Sequence, residues 1–314
     1  MPSRPLELFD LPRLSRYRSE VLSLDCKQIL TRGNPLRAVN FLTYLNPTQH
    51  IYTAITDNGE SDALIGSIHH DEAESYAQLK YLTPASALEN SDTSLRLLEH
   101  LVAQAKKWRT FQVLGEIEEN SSLFEPLRQS GFSVYGRQRI WDLSNIIFSD
   151  DAISFWRKRN AVDTIAIQSL QRQIVPPLLQ QVENFANSER GLICANDEIM
   201  AYIDVIYGTR GIFLRPLIHP NADNVREKLL SLLAQDLPNR RERPIYLCVR
   251  SYQAWIEPIL EEMGATVGPR QVVMVKHLVS VQRTEKTVPA NADTAWANPA
   301  APIRSAEFHK ENPS

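Results

Sequence analysis

The chain has 314 residues, a formal net charge of −3 and 43% hydrophobic residues, with 11 Gly and 19 Pro. This length and hydrophobic content are typical of a globular protein with two cores of ordinary size, so two domains are expected. The small negative charge excludes a broad positive field, so binding to nucleic acid or to an anionic membrane surface is not expected.

The cysteines and the N-terminus indicate a compartment. Cys26, Cys194 and Cys248 are widely spaced and odd in number, which favours buried thiols in a reducing compartment over a disulfide framework. Residues 1–10 lack the basic and then apolar regions of a signal peptide. No apolar run approaches the roughly 20 residues that a membrane-spanning helix needs. We therefore expect a cytoplasmic protein.

An internal repeat is the most informative feature of the chain. The matches at an offset of 132 are Tyr81-Leu82-Thr83-Pro84 with Phe213-Leu214-Arg215-Pro216, Leu97-Leu98 with Leu229-Leu230, and Glu125-Pro126 with Glu257-Pro258. At an offset of 133, Gly131 matches Gly264, and Arg137-Gln138 matches Arg270-Gln271. Because the matches keep one order along the chain, they indicate a duplicated structural unit.

Each copy is predicted to contain a strand meander, a helix, a strand, a short helix and a final strand. In the first copy these are strands 51–57, 64–70 and 76–82, a helix through 95–105, strand 111–117, helix 123–129 and strand 132–143. In the second copy a helix beginning at Pro176-Pro177 precedes strands 191–194, 199–207 and 211–217, helix 225–235, strand 245–250, helix 254–263 and strand 272–278. This order predicts an α/β fold, with a mixed sheet and helices on its faces.

The composition divides the chain further. We predict an N-terminal domain over 1–143, a linker over 144–159 and a C-terminal domain over 160–280. Beyond about residue 283 the sequence turns to Pro, Ala, Asn and charged residues, so a disordered tail is predicted over 281–314.

The order of elements resembles the GNAT superfamily of acyl-CoA N-acyltransferases. In that family an Asn after the fifth strand contacts coenzyme A, and a short helix ending in Gly-Phe follows it. Asn120 precedes Gly131-Phe132 with the family spacing, and Gln253 holds the same place before Gly264. The resemblance implies two tandem GNAT-like domains with acetyl-CoA as co-substrate and no metal.

The phosphate-binding signature of the family is eroded in both copies. Family members carry a glycine-rich turn between the fourth strand and the long helix, which lets backbone N–H groups close on a pyrophosphate. Residues 83–93 and 215–224 contain no glycine. A Tyr that protonates the leaving thiolate is replaced by Leu127 and Leu260. Acyl-CoA binding is therefore expected to be weak or atypical.

The resemblance nevertheless implies a set of site residues in the first copy and one in the second. The cofactor contacts would be Leu82, Thr83, Ser91, Thr93, Ser94, Asn120 and Gln253. Glu116 and Glu118 share one face of a strand and are candidates for the base that deprotonates the incoming amine. Tyr135 in the final strand and Tyr252 beside Gln253 are the candidate acids. The alternatives are a solvated strand face for the carboxylates and a packing role for the tyrosines.

Two other clusters favour plain structural roles. His69 and His70 precede Asp71 and Glu72, but adjacent strand residues point to opposite faces, which favours a surface turn over a metal site. Residues 239–243, Asn-Arg-Arg-Glu-Arg, could grip an anion or form a solvated loop, and His219 lies in the coenzyme turn of the second copy.

Two functions follow from these observations. The first is an N-acyltransferase that moves an acetyl group from acetyl-CoA to an amine of a small molecule or peptide, with the second copy lining the acceptor site. The second is a non-catalytic module that keeps the fold and binds a metabolite or a protein, since fold alone does not establish chemistry. The sequence determines neither the acceptor nor the oligomeric state.

Overall fold

The computed structural model describes residues 3–36, 49–57, 63–147, 154–186, 188, 190–195, 199–237 and 240–278. The predicted tail over 281–314, Asn239 and part of the predicted linker lie outside these residues. One compact unit extends over Met1–Ser280. We call residues 1–143 the N-terminal half and residues 144–280 the C-terminal half; the predicted domain boundaries stay a prediction.

The N-terminal half contains every strand and helix predicted for the first copy. Its elements are β1 (Arg4–Pro5), α1 (Leu11–Arg16), β2 (Leu22–Ser23), α2 (Cys26–Arg32), β3 (Gln49–Thr56), β4 (Leu64–Asp71), β5 (Tyr76–Thr83), α3 (Ser91–Lys107), β6 (Gln112–Glu118), α4 (Phe124–Gln129) and β7 (Ser133–Asp142). The short elements β2 and α2 were not predicted, because two and seven residues are too few for a periodic signal.

The C-terminal half repeats the order seen from β3 to β7, apart from a short extra strand before the last one. Its elements are β8 (Arg157–Lys158), α5 (Thr164–Ile174), α6 (Pro177–Gln180), β9 (Gly191–Ala195), β10 (Ile199–Tyr207), β11 (Ile212–Ile218), α7 (Val225–Ser231), β12 (Ile245–Arg250), α8 (Glu257–Glu262), β13 (Thr266–Val267) and β14 (Gln271–His277). The predicted helix 225–235 is α7 continued by a π-helical turn, Leu232–Asp236. Helix α5 was not predicted, although Ile167 and Leu170 give it a buried face.

The halves exchange their final strands within one sheet. Among the described residues the sheet order is β1-β3-β4-β5-β6-β14-β7-β12-β11-β10-β9-β8. Strand β14 of the C-terminal half thus pairs with β6 of the N-terminal half, and β7 of the N-terminal half pairs with β12 of the C-terminal half. Strands β7 and β14 pair with each other at the centre.

The pairing registers follow the offsets of the sequence repeat. Glu118 pairs with Gln271, and Arg250 pairs with Gln138, so the partners differ by 250 − 118 = 132 and 271 − 138 = 133. Gln138 also faces its own equivalent Gln271 across β7 and β14. These registers support the predicted duplication and place a pseudo-twofold axis at the two glutamines.

One part of the sequence alignment of the copies is wrong. Ala77 of β5 pairs with Val113 of β6, and the equivalent pair in the C-terminal half is Ile212 of β11 with Ile245 of β12. The residue offset between the copies is therefore 245 − 113 = 132 for β6 and β12, but 212 − 77 = 135 for β5 and β11. The resemblance of 81–84 to 213–216 therefore does not correspond to equivalent places in the sheet. Pro216 lies inside β11, whereas Pro84 follows the end of β5.

Each half has its own hydrophobic core, completed by the exchanged strand. The N-terminal core gathers Leu97, Leu98 and Leu101 of α3 and takes Val272 and Met274 from β14. The core of the C-terminal half includes Trp141 and Leu143, which come from the N-terminal half. The strand exchange therefore connects two cores through one sheet.

Candidate functional site

The cleft that would admit a cofactor in the N-terminal half lies between β5 and β6. These parallel strands pair only where Tyr76–Gln78 meets Gln112–Leu114, and then separate. Beyond that point β2 pairs antiparallel with β5, with Leu22 opposite Leu82 and Ser23 opposite Tyr81. We call residues 20–25 the inserted segment, because it lies between the separated strands.

The inserted segment is hydrogen bonded to both strands. The backbone N–H of Leu24 donates to Lys80 O of β5 at 2.9 Å, and the N–H of Glu116 in β6 donates to Leu24 O at 2.9 Å. The N–H of Ala85 donates to Glu20 O at 2.8 Å. Leu24 is fully buried in the N-terminal core. The backbone edges that a ligand in the cleft would use are thus already paired.

A buried ion pair anchors the segment. Asp25 accepts a hydrogen bond from Lys80 Nζ at 2.6 Å and caps α2 by accepting from Gln28 N at 2.9 Å. Burial by itself would raise the pKa of Asp25, but the positive charges of Lys80 and Lys27 outweigh burial and lower the pKa to about 2. Asp25 is therefore ionised at neutral pH and holds the segment in place.

A side chain closes the corresponding cleft of the C-terminal half. Strands β11 and β12 pair only where Ile212–Leu214 meets Ile245–Leu247. Beyond that point Gln253 Oε1 accepts from Ile218 N at 2.8 Å, and Gln253 Nε2 donates to Pro216 O at 2.8 Å. Gln253 is fully buried, so the amide predicted to contact a cofactor instead pairs with the edge of β11.

The start of α3 is capped by a side chain of the chain itself. Asn90 caps the helix, because its Oδ1 accepts from Thr93 N at 3.1 Å. The Thr93 and Ser94 hydroxyls are buried and make no hydrogen bond within the described part of the chain. Ser91 is exposed beside the acidic Asp92. In the C-terminal half the residue before α7, Asn224, makes no side-chain cap.

The predicted base Glu116 is engaged in the sheet. Glu116 Oε2 accepts from Cys26 N at 3.1 Å and from Cys26 Sγ at 2.8 Å, and Oε1 lies 3.4 Å from Arg250 Nη2. Glu118 is exposed at the end of β6. The structure therefore separates the two carboxylates into a buried ion pair and a solvated group.

Arg250 is the centre of a buried polar cluster that the sequence did not predict. Its Nε lies 2.5 Å from Glu183 Oε1, and its Nη1 donates to Gln138 Oε1. Tyr252 donates to Glu183 Oε2 at 2.6 Å, and Gln138 Nε2 donates to Gln271 Oε1 at 2.7 Å. The repeated Arg-Gln pair was the one sequence signal for this cluster, which joins the two halves at the pseudo-twofold axis.

The remaining predicted residues are spread over the molecule. Tyr135 hydrogen bonds through its hydroxyl to His277 Nε2, and burial raises its pKa. Asn120 is exposed in the turn after β6. Thr83 is buried, and its hydroxyl donates to Tyr17 O at 2.8 Å and to Glu20 O at 3.1 Å. The structure does not bring these groups together with Gln253.

Acyl-CoA, which the fold implies, does not fit these residues. The β5 edge is paired with the inserted segment and the β11 edge with Gln253, so neither of these two strand edges is open to a ligand. Neither helix start has glycine N–H groups for a pyrophosphate. Leu127 and Leu260 are fully buried where the family has its tyrosine.

A separate cavity, which we call the α2 pocket, lies beside the inserted segment. Its volume is about 280 Å³, and its lining includes Lys27 of α2, His69 of β4, Glu74 and Tyr76 near β5, and Ile206 of β10. His69 borders this pocket, whereas His70 is buried and its Nδ1 lies 3.0 Å from Tyr76 O. As expected from strand geometry, the adjacent imidazoles have different surroundings.

His219 and the basic loop make hydrogen bonds within the protein. His219 Nδ1 accepts from Asn221 N at 3.1 Å within its own turn. In the basic loop, Arg243 Nη1 donates to Gly208 O at 2.7 Å. Among the described residues no group of three or more His, Cys, Asp or Glu side chains could hold a metal ion. All three cysteines are buried free thiols.

Within the part of the chain that the structure describes, no helix has the length and apolar character needed to cross a membrane.

Comparisons with known proteins give the fold. No family model matches the sequence, and no curated protein matches it. Solved structures do match. A GCN5-related N-acetyltransferase from Sphaerobacter thermophilus has a TM-score of 0.55 at 13% identity, with 88% of this chain and 95% of that chain covered.

Two further solved structures also match this chain. A tandem GNAT protein from the clavulanic acid biosynthesis pathway has a TM-score of 0.52 at 11% identity, covering 88% of this chain and 98% of its own. A protein from Pyrococcus horikoshii assigned as an acetyltransferase has a TM-score of 0.50 at 10% identity, covering 88% and 89%. The resemblance predicted from the sequence is thus confirmed for the fold, and the chain is an α/β protein with the GNAT acetyltransferase fold.

Proposed function

We propose that this protein is a binding module built on the GNAT fold, which recognises a small polar ligand in the α2 pocket and binds acyl-CoA in neither cleft. The observation that carries the proposal is the inserted segment. Leu24 pairs with the backbone of both Lys80 and Glu116, where the strands would otherwise be open.

Displacing the segment would be costly. Leu24 would leave the N-terminal core, and the burial of a leucine contributes roughly 1.5–3 kcal/mol. The buried Asp25 and Lys80 charges would also separate, and leaving a buried charge without its partner costs about 3–5 kcal/mol. Because neither cleft has a glycine-lined phosphate site, acyl-CoA would make few new contacts to offset these free-energy costs.

Titration with acetyl-CoA tests the proposal. We expect isothermal calorimetry of the full chain to give no saturable heat at millimolar acetyl-CoA. Hydrogen exchange followed by mass spectrometry should show protected amides at Leu24 and Glu116, with protection unchanged by the cofactor, because both amides belong to the closed cleft. Saturable binding with loss of protection in residues 20–25 would contradict the proposal.

An acyltransferase is the second candidate, and the fold shared with acetyltransferases favours it. In this case Asn120, exposed after β6, would contact the cofactor, and the exposed Glu118 would be the better base because Glu116 is paired with Arg250. If the wild type binds acetyl-CoA, Asn120→Ala should weaken binding by about 1–3 kcal/mol. Gln173→Ala on the exposed side of α5 is the matched control and should leave affinity unchanged.

A further inference from the structure

The α2 pocket has the size of a small-metabolite site. Its volume of about 280 Å³ is near the lower end of ligand pockets, which measure roughly 300–1,000 Å³. A Cβ atom at Gly66 would point at Leu97 and Leu101 of α3, so the alternate residues Ser67 and His69 face the opposite side of the sheet. The pocket therefore lies on the side of β4 away from α3.

Both halves of the molecule form the pocket. Ile206 of β10 lines it together with residues of α2, β4 and β5. The position of α2 is fixed from the C-terminal half, because Arg210 N donates to Thr31 O at 2.9 Å. A Cβ atom at Gly208 would lie only 2.1 Å from Thr31 O, so α2 packs directly on the turn between β10 and β11. Backbone contacts with the C-terminal half therefore hold α2, which forms one wall of the pocket, in place.

The charges that line the pocket are balanced. Three cationic and three anionic side chains contribute to the lining: Lys27, Arg32 and Lys80, and Asp25, Asp71 and Glu74. An anion such as phosphate would gain from the first set and be repelled by the second. Balanced charges instead favour a ligand that carries both signs.

Three of these charged side chains, Lys27, Arg32 and Glu74, make no ion pair or side-chain hydrogen bond with the residues that the structure describes. In contrast, Lys80 and Asp25 satisfy each other at 2.6 Å. Lys27 and Glu74 do interact at longer range: burial raises the pKa of Glu74, and the positive charge of Lys27 opposes that rise. Opposite charges thus border one cavity without touching.

The lining also contains the neutral polar side chains of His69 and Tyr76. The His69 ring makes no hydrogen bond within the described ranges, and neither does the Tyr76 hydroxyl. Burial and the neighbouring Lys80 charge lower the pKa of His69 to about 3, so its imidazole is neutral at physiological pH. A neutral imidazole offers one donor and one acceptor.

We propose that the α2 pocket binds a small zwitterion, an amino acid or a molecule of similar size with one carboxylate and one amine. The carboxylate lies toward Lys27 and the ammonium toward Glu74, with His69 and Tyr76 as neutral hydrogen-bond partners. This inference rests on the proposed function, because it names the ligand class of the pocket assigned there.

Thermal-shift screening of the full chain tests the proposal. The probes are the 20 protein amino acids, β-alanine and γ-aminobutyrate at 10 mM, with propionate, propylamine and inorganic phosphate as single-charge probes. We expect at least one zwitterion to raise Tm and every single-charge probe to leave it unchanged. Calorimetry with the best zwitterion should then show Kd raised at least tenfold by Lys27→Met and by Glu74→Gln.

Matched surface variants keep the test specific. Lys106→Met and Glu99→Gln lie on the exposed side of α3 and should leave Kd within twofold of the wild type. The unliganded Tm of each variant separates lost binding from lost folding. The proposal is overturned if no zwitterion raises Tm, if propionate, propylamine or phosphate raises it equally, or if both pocket variants retain wild-type Kd. If the protein binds neither acetyl-CoA nor any zwitterion, the zwitterion proposal is wrong, whereas the proposal that both clefts are closed to acyl-CoA still stands.

Discussion

At the residue scale, Arg250 makes contacts with three separate parts of the chain outside its own strand. It lies near two carboxylates, Glu116 of β6 and Glu183 of the C-terminal half, and it donates to Gln138 of β7. All of these side chains are buried or nearly so, so the guanidinium stabilises two charges that water does not reach. The cluster connects the exchanged strands by charge as well as by backbone pairing.

Removing the Arg250 guanidinium should therefore lower the free energy of unfolding strongly. Arg250→Met keeps much of the volume but leaves Glu116 and Glu183 without their cation, and breaking a buried ion pair costs about 3–5 kcal/mol. Urea unfolding followed by circular dichroism measures the loss. Arg137→Met is the control, because Arg137 and its partner Glu119 are 60% and 38% exposed and such pairs contribute under about 1 kcal/mol. Equal losses for both variants would contradict this account of the cluster.

At the element scale, the shortest elements decide the character of the site. Strand β2 has two residues and α2 has seven, yet β2 pairs with β5 in the N-terminal cleft and α2 forms one wall of the α2 pocket. Asp25 joins them, because it follows β2, caps α2 and pairs with Lys80 of β5. The inserted segment and the pocket thus depend on one carboxylate.

Asp25→Asn should destabilise the protein in a pH-dependent way. The pKa of Asp25 is lowered to about 2 in the folded protein, below its unfolded value near 4, so ionisation stabilises the fold above pH 4 and this contribution disappears as pH falls through 2. The stability lost with Asn, which keeps a capping oxygen, should be about 2.5 kcal/mol at pH 7 and should shrink toward zero by pH 2.

The measurement is urea unfolding of both proteins between pH 7 and pH 2. Asp92→Asn at the exposed start of α3 serves as the comparison and should cost less than about 1 kcal/mol at neutral pH. A difference between wild type and Asp25→Asn that stays constant with pH would show that the carboxylate charge is not what stabilises the segment.

At the scale of the whole molecule, the exchange of final strands makes each half dependent on the other. Strand β14 covers the edge of β6, and β7 covers the edge of β12. The same strands supply Val272 and Met274 to one core and Trp141 to the other. Neither half has a complete sheet or core by itself.

We therefore expect residues 1–143 and residues 144–280 to fail to fold as separate chains. Each would expose a long unpaired strand edge and an incomplete core, which favours aggregation. Coexpression of the two fragments should recover a soluble heterodimer, because the missing strands are then supplied in trans. Gel filtration and circular dichroism provide the readout, and cooperative unfolding of residues 1–143 alone would exclude an obligatory exchange.

The ends of α4 and α8 illustrate what local sequence predicts well. Gly131 and Gly264 both have a positive φ, +87° and +85°, which glycine adopts without strain. The N–H of Phe132 donates to Leu127 O, and the N–H of Ala265 donates to Leu260 O, in the same pattern. The predicted helix ends are confirmed, because this motif involves only residues close in the chain.

The sequence by itself determined the order of the longer strands and helices in each half and their resemblance to the GNAT fold, because periodicity, turn residues and repeats are local or colinear properties. Tertiary structure decided which strands are neighbours and what fills each cleft. Leu24 pairs with Glu116, Gln253 pairs with β11, and Lys27 and Glu74 line the same cavity, although the members of each pair are far apart in sequence. Such contacts depend on how distant segments pack, so the closed clefts and the α2 pocket appear only in the folded chain.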